Sequence, residues 1–228
     1  MSKHIGIVGV SYEGAALCYR TICQEGKDWL GMYEHPQVTM HTFNMNDYKK
    51  PSDAENWAQV GELLLASAQI LANAGADFVI CPDNTVHVSL DPLLARSPLP
   101  WLHIAEEVAA AAALAGYRRL GILGTQPLME GPVYPSRLEP VGLQWRTPDL
   151  PARQSVHQYI VEELIYGTVL PETRAYFQGL IQEFAEAGCD AVVLGCTEIP
   201  LLINPEDSVL PTLDSTRLLA RAALQAAL

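Results

Sequence analysis

Two stretches of this chain are written twice. IGIVGVS from Ile5 aligns with LGILGTQ from Leu120, an offset of 115 residues, and AGADFVICPDNT from Ala74 aligns with AGCDAVVLGCTE from Ala187, an offset of 113. In both copies of the second pair a long stretch of helical periodicity ends in Ala-Gly and leads into an apolar run. Two pairs in the same order with nearly the same offset predict two like halves. A short apolar run bounded by turn signals reads as a buried strand of the parallel-sheet type. The chain is therefore expected to be α/β.

The rest of the chain fits that frame. Strands are expected at 4–10, 37–43, 77–81, 119–123 and 191–194, with shorter ones at 143–146 and 210–213. Helical periodicity covers 15–25, 54–73, 104–115, 155–166, 173–186 and 215–228. The segment 44–53 is polar, carries Pro51 and reads as a loop. Strands alternate with helices throughout, as in parallel α/β architectures. The expected division is a first domain of 1–97 plus 210–228 and a second of 98–209.

Composition narrows the function classes. The 228 residues are 49% hydrophobic, ample for a buried core, and 14 basic against 26 acidic residues give a formal charge of −12. No cluster of Lys and Arg is present, which argues against nucleic-acid binding. No apolar run approaches membrane-spanning length, and the opening MSKHIGIVGV passes directly into a strand pattern rather than a signal peptide. Five cysteines without metal-type spacing argue against a disulfide framework or a zinc site and fit a reducing cytoplasm. There is no Walker pattern, no complete GxGxxG and no lysine in a setting for a pyridoxal Schiff base, so no cofactor is expected.

The second repeated pair carries chemistry. Polar residues just past a strand lie at the carboxyl edge of the sheet, where open α/β folds bind ligands. The alignment sets Asp83 opposite Cys196 and Asn84 opposite Thr197. If the halves face one another about a pseudo-twofold axis, Asp83 and Cys196 flank one cleft. Two acid/base groups on opposite sides of a carbon are what inversion requires: one removes the proton and the other returns it.

At this point the residues resemble the aspartate/glutamate racemase superfamily of cofactor-independent amino-acid racemases. GCTE at Gly195–Glu198 is similar to that family's second cysteine motif, and NTVH at Asn84–His87 to the Asn-Thr part of its first. IGIVG with Ser11 and Glu13, and LGILGT ending at Thr125, also fit, so the likeness spans the chain. It implies two Rossmann-like domains, each a parallel sheet flanked by helices, with the active site between them, a small amino-acid or carboxylate substrate, and a homodimer. The departures are specific. The family carries Cys, sometimes Thr, before Asn-Thr, and this chain carries Asp83; Cys81, two residues earlier on the strand, faces elsewhere. Ser52 and Ser155 stand where the closest acidic-amino-acid racemases place a Gln and a Lys, and Leu128 stands in place of a Thr. These changes count against aspartate or glutamate as the substrate.

Cys196 is the expected acid/base group, with its thiol activated by a helix beginning near Thr197. Three roles compete for Asp83: the second acid/base group, a site for the substrate's ammonium, or a bystander to a single working cysteine. The last would make the chain a decarboxylase or isomerase of the same superfamily, and loss of turnover would make it a binding protein. Ser11, Asn84, Thr85, Thr125 and Thr197 are the candidate substrate contacts, against the alternative that they only cap helices. Glu198 is expected to pair with a base or cap a helix, His87 to support the motif from behind, and His103 and His157 to be structural.

Overall fold

The computed structural model describes residues 2–228. In chain order it contains β1 (Ile5–Gly9), α1 (Tyr12–Leu30), β2 (Val38–Thr42), α2 (Met45–Asp53), α3 (Trp57–Asn73) and β3 (Phe78–Ile80). A 3-10 turn at Thr85–Ser89 leads to α4 (Leu90–Leu93), β4 (Trp101–Leu102) and α5 (Ile104–Leu114). Then come β5 (Arg119–Leu123), α6 (Gln126–Glu130), α7 (Pro135–Leu138), β6 (Gln144–Arg146), α8 (Leu150–Glu162) and α9 (Pro171–Glu186). The chain closes with β7 (Ala191–Leu194), α10 (Ile199–Leu202), β8 (Thr212–Asp214) and α11 (Ser215–Ala227).

The strands form two four-stranded parallel sheets, in the orders β2-β1-β3-β4 and β6-β5-β7-β8. The register carries the duplication: Ile5 pairs with Phe78 in the first sheet, and Leu120 with Ala191 in the second. Both pairs sit at the offsets read from the sequence. The packing repeats too. A Cβ at Gly6 would lie 3.2 Å from Leu71 of α3, and one at Gly121 would lie 2.2 Å from Phe184 at the matching position of α9. Bare strand backbone at these two points lets each helix lie close on its sheet.

The chain divides into one unit running up to Ile104 together with Thr216–Leu228, and a second of Ala105–Ser215. These limits differ from the expected 97/98 and 209/210 because β4 pairs with β3 and β8 pairs with β7. Each edge strand stays with its sheet, and the helix after it, α5 or α11, is assigned to the other unit. The first unit buries Ile5, Ile7, Ile22, Ile80, Ile104 and Leu219 on one side of its sheet and Val8, Val60, Leu64, Val79 and Leu90 on the other. The second packs Val156, Phe177, Ile181, Phe184, Val192 and Leu194 together.

One expected loop is a helix. Residues 45–53 form α2 despite Pro51. Asn44 caps it by accepting from the Asn46 N–H at 2.9 Å, and Tyr48 and Pro51 are both buried. Burial of those rings outweighs the backbone bond that proline forfeits.

Candidate active site

In the first unit the carboxyl edge is built from the turns after β1, β3 and β4. Ser11 follows β1, is buried, and caps α1 by accepting from the Gly14 N–H at 3.4 Å. After β3 the chain turns through Cys81, Pro82 and Asp83. Cys81 is fully buried among Tyr48, Val79 and Val86. Burial, and next the Asp83 carboxylate, push its thiol well above the ordinary range. A thiol so held does not supply a thiolate. Asp83 is half-buried and accepts the Val86 N–H on Oδ1 at 3.4 Å, so it also caps the 3-10 turn. Asn84 is buried at the head of that turn, where its carbonyl accepts the His87 N–H at 3.1 Å. Thr85 follows, half-buried.

Two residues behind this turn were not singled out from the sequence. Tyr48 is buried; desolvation pushes its phenol up to about 12, the Ser67 hydroxyl bond lowers it, and the charges of Cys81, Asp83 and Asp47 raise it. The Ser67 hydroxyl links Tyr48 Oη at 3.4 Å to His41 Nδ1 at 3.0 Å. His87, expected to support the motif from behind, is buried. Its Nε2 lies 3.0 Å from the Cys81 carbonyl, and its ring stands edge-on to His103 at 4.5 Å.

In the second unit the matching edge is built from the turns after β5, β7 and β8. Gly124 and Gly195 run side by side. A Cβ at Gly195 would lie 2.8 Å from the Leu123 carbonyl oxygen and 2.8 Å from the Leu128 side chain, so that position excludes any other residue without a shift of the backbone. Thr125 caps α6 by accepting from the Leu128 N–H at 3.4 Å, and His157 Nδ1 accepts from the Gln126 N–H at 3.4 Å. Tyr134 is fully buried, and its phenol, raised chiefly by burial, hydrogen-bonds Ser215. The Ser215 hydroxyl donates to the Leu194 carbonyl at 2.9 Å.

Cys196 comes two residues later, 9% exposed, and its thiol donates to Glu198 Oε2 at 2.9 Å. Glu198 is 3% exposed, as is Thr197. Glu198 thus holds the thiol, a contact the sequence alone did not predict. The helix expected near Thr197 is the four-residue α10, which begins at Ile199 and is too short to carry much of a dipole. The carboxylate, not a helix terminus, sets the thiol's environment. The contact is a thiol donating its proton to a carboxylate oxygen, so one proton lies between the two groups. The thiol can hand that proton to Glu198 and become a base, or keep it and serve as an acid. The sequence signal was an acid two residues after a thiol in a turn, but spacing alone does not say which way either side chain points.

Two four-stranded parallel sheets flanked by helices, with a buried thiol–carboxylate contact just past β7, define a two-unit α/β protein. The model of the family described as Asp/Glu/Hydantoin racemase matches residues 7–223, and the chain belongs to that family. Membership places it among isomerases. It is 25% identical, over 73% of its length and 71% of the relative's, to the broad specificity amino-acid racemase RacX of Bacillus subtilis. The structure is similar to that of a putative Asp/Glu racemase from Yersinia pestis, with a TM-score of 0.90, 32% identity and 99% of both chains covered. It is also similar to an aspartate racemase homologue from Pyrococcus horikoshii, with a TM-score of 0.85, 27% identity and 99% of both chains covered.

Proposed function

We propose that this protein is an amino-acid racemase that inverts the α-carbon of a small amino acid by proton removal and return, with Cys196 and Glu198 acting as one acid/base unit. The buried thiol–carboxylate contact carries the reading. Cys196 passes its proton to Glu198, and the thiolate takes the substrate's α-proton. The charge left behind is held by the substrate carboxylate as an enediolate. A proton returns from a second acid, a role assigned to Asp83, and solvent resets the groups. Side chains carry all the protons, so the reading invokes no cofactor.

Asn84, Thr85 and Thr197 are assigned to the substrate carboxylate and ammonium. Ser11 and Thr125 are assigned there too, since a hydroxyl that accepts a capping bond still has its own hydrogen to donate. Asp83 is the open branch. Its Oδ1 accepts from the Val86 N–H, which favours a second reading in which it only shapes the turn and Cys196 works alone as a decarboxylase or isomerase.

The test is incubation of the pure protein with a broad panel of amino acids in D2O, followed by proton NMR of the α-position. Loss of the α-proton signal with retention of the carbon skeleton supports the racemase. Loss of CO2 supports the single-cysteine reading, and binding with neither change supports a protein that has lost turnover.

We read the protein as cytoplasmic from its five free cysteines; among the described residues no helix is long and apolar enough to cross a membrane. A homodimer is read from Trp29, Met32 and Tyr33, all exposed and Tyr33 at 92%. Light scattering checks it.

A further inference from the structure

We propose that the carbonyl at the end of each central strand is latched by a buried side chain, and that His87 and Ser215 thereby position the turns carrying Asp83 and Cys196. The inference rests on the racemase reading for the work those two residues do. The two carbonyls are those of Cys81 and Leu194, which occupy the same place in the repeat, each two residues before the reactive group. The His87 Nε2 approaches the first at 3.0 Å, and the Ser215 hydroxyl donates to the second at 2.9 Å. A carbonyl only accepts, so the His87 proton sits on Nε2.

The two latches are not copies of one another. His87 comes from the 3-10 turn after β3, and the residue matching it in the second repeat is Pro200. Ser215 is the first residue of α11. The register pairs Val79 with Trp101 and Val192 with Thr212, so Ser215 matches Ile104 in the first repeat. Neither Pro200 nor Ile104 has a side-chain donor. Each unit therefore reaches the same carbonyl with a different residue from a different element. What the halves share is the direction imposed on one peptide group, not the residue that imposes it.

Each latch has a brace. The His103 ring stands edge-on to His87, and Tyr134 hydrogen-bonds Ser215. All four side chains are buried, His103 being the most exposed at 6%. Any donor would satisfy a buried carbonyl. The consequence here lies downstream, because tilting the Cys81 peptide swings Asp83 and tilting the Leu194 peptide swings Cys196 away from Glu198. A displacement of about 1 Å in a reacting group costs on the order of 100-fold in rate.

The experiment measures solvent deuterium entering the α-position from each enantiomer separately, in Ser215→Ala, Ser215→Thr, His87→Phe and His87→Gln. The two latch-deleting variants should fall about 10- to 100-fold in kcat with little change in KM. They should differ in which enantiomer they slow more, since each disturbs a different acid/base group. Thr and Gln, which can still donate, should recover most of the rate. If Ser215→Thr does not fold, Tyr134→Phe replaces it and should give a smaller loss with the same enantiomer bias. Equal slowing of both enantiomers by both variants, or rates within about twofold of wild type, would overturn the proposal.

If the wild-type protein exchanges no amino acid, the racemase reading fails, and the latch is read at Cys196 itself. The pH profile of alkylation at Cys196, resolved by peptide mass spectrometry, should then move in Ser215→Ala and return in the variant that restores the donor. An unmoved profile overturns the latch independently of catalysis.

Discussion

Glu198→Gln is the substitution that most narrowly tests the pairing of thiol and carboxylate. It keeps the shape and an acceptor oxygen for the Cys196 thiol, which now lies 2.9 Å from Oε2, but removes the group that takes the proton. At that separation two negative charges repel by about 6 kcal/mol with an effective dielectric constant near 20, about four powers of ten in population. Proton transfer from the thiol to this carboxylate avoids that repulsion. With Gln at the position no carboxylate receives the proton, and the thiol must lose it to solvent instead. Exchange at pH 7 should drop about 100- to 10,000-fold, the worth of a positioned proton acceptor. It should recover in part toward pH 9, where hydroxide takes the acceptor's place. The assay is deuterium wash-in across pH 6 to 10, with circular dichroism to confirm folding. A variant within about threefold of wild type at pH 7, or one whose profile parallels wild type, would refute the reasoning.

Three further outcomes follow from the same geometry. Gly195→Ala places a Cβ 2.8 Å from the Leu123 carbonyl and from Leu128, and should cost about 1–3 kcal/mol in denaturant unfolding while abolishing most exchange. Cys81→Ala removes a buried thiol whose ionisation burial already opposes; it should lower stability by about 1–2 kcal/mol yet leave exchange within about twofold. Asp190 accepts the Arg118 and Arg119 backbone N–H groups at 2.7 and 2.9 Å, and these bonds hold its carboxyl below the usual range. Its folded-state pKa is depressed, so its contribution is present above about pH 4 and lost as pH falls through the folded value. Asp190→Asn should accordingly lower the Tm at pH 7 and converge with wild type as pH falls below the depressed carboxyl range.

The repeated stretches exposed most of the fold because apolar strand runs and Ala-Gly helix ends leave marks that survive divergence. Ile5 pairing with Phe78 and Leu120 with Ala191 is that duplication in hydrogen bonds. The helix over Met45–Asp53 was hidden, since Pro51 and the polar run speak for a loop and only burial of Tyr48 overrules them. The two edge strands β4 and β8 are two and three residues long, too short for any periodicity to locate a domain limit. At the site, Cys196 was legible from its position past a strand. The role of Glu198 was not, because its neighbour in the chain is also its neighbour in space only when the turn closes as it does. Tyr134 and Ser215 meet through a hydroxyl contact, and Ser215 reaches the Leu194 carbonyl, contacts that leave no pattern in a sequence.

The central claim is inversion at carbon by Cys196 with Asp83 as its counterpart. It is tested most directly by chiral separation of products formed from a single enantiomer by wild type, Cys196→Ala and Asp83→Asn. Asn keeps the capping acceptor at position 83 and removes the acid/base group. The account predicts that wild type converts either enantiomer to the other and that both variants fail to convert. Full conversion by Asp83→Asn would contradict the two-sided mechanism, and full conversion by Cys196→Ala would contradict the account itself.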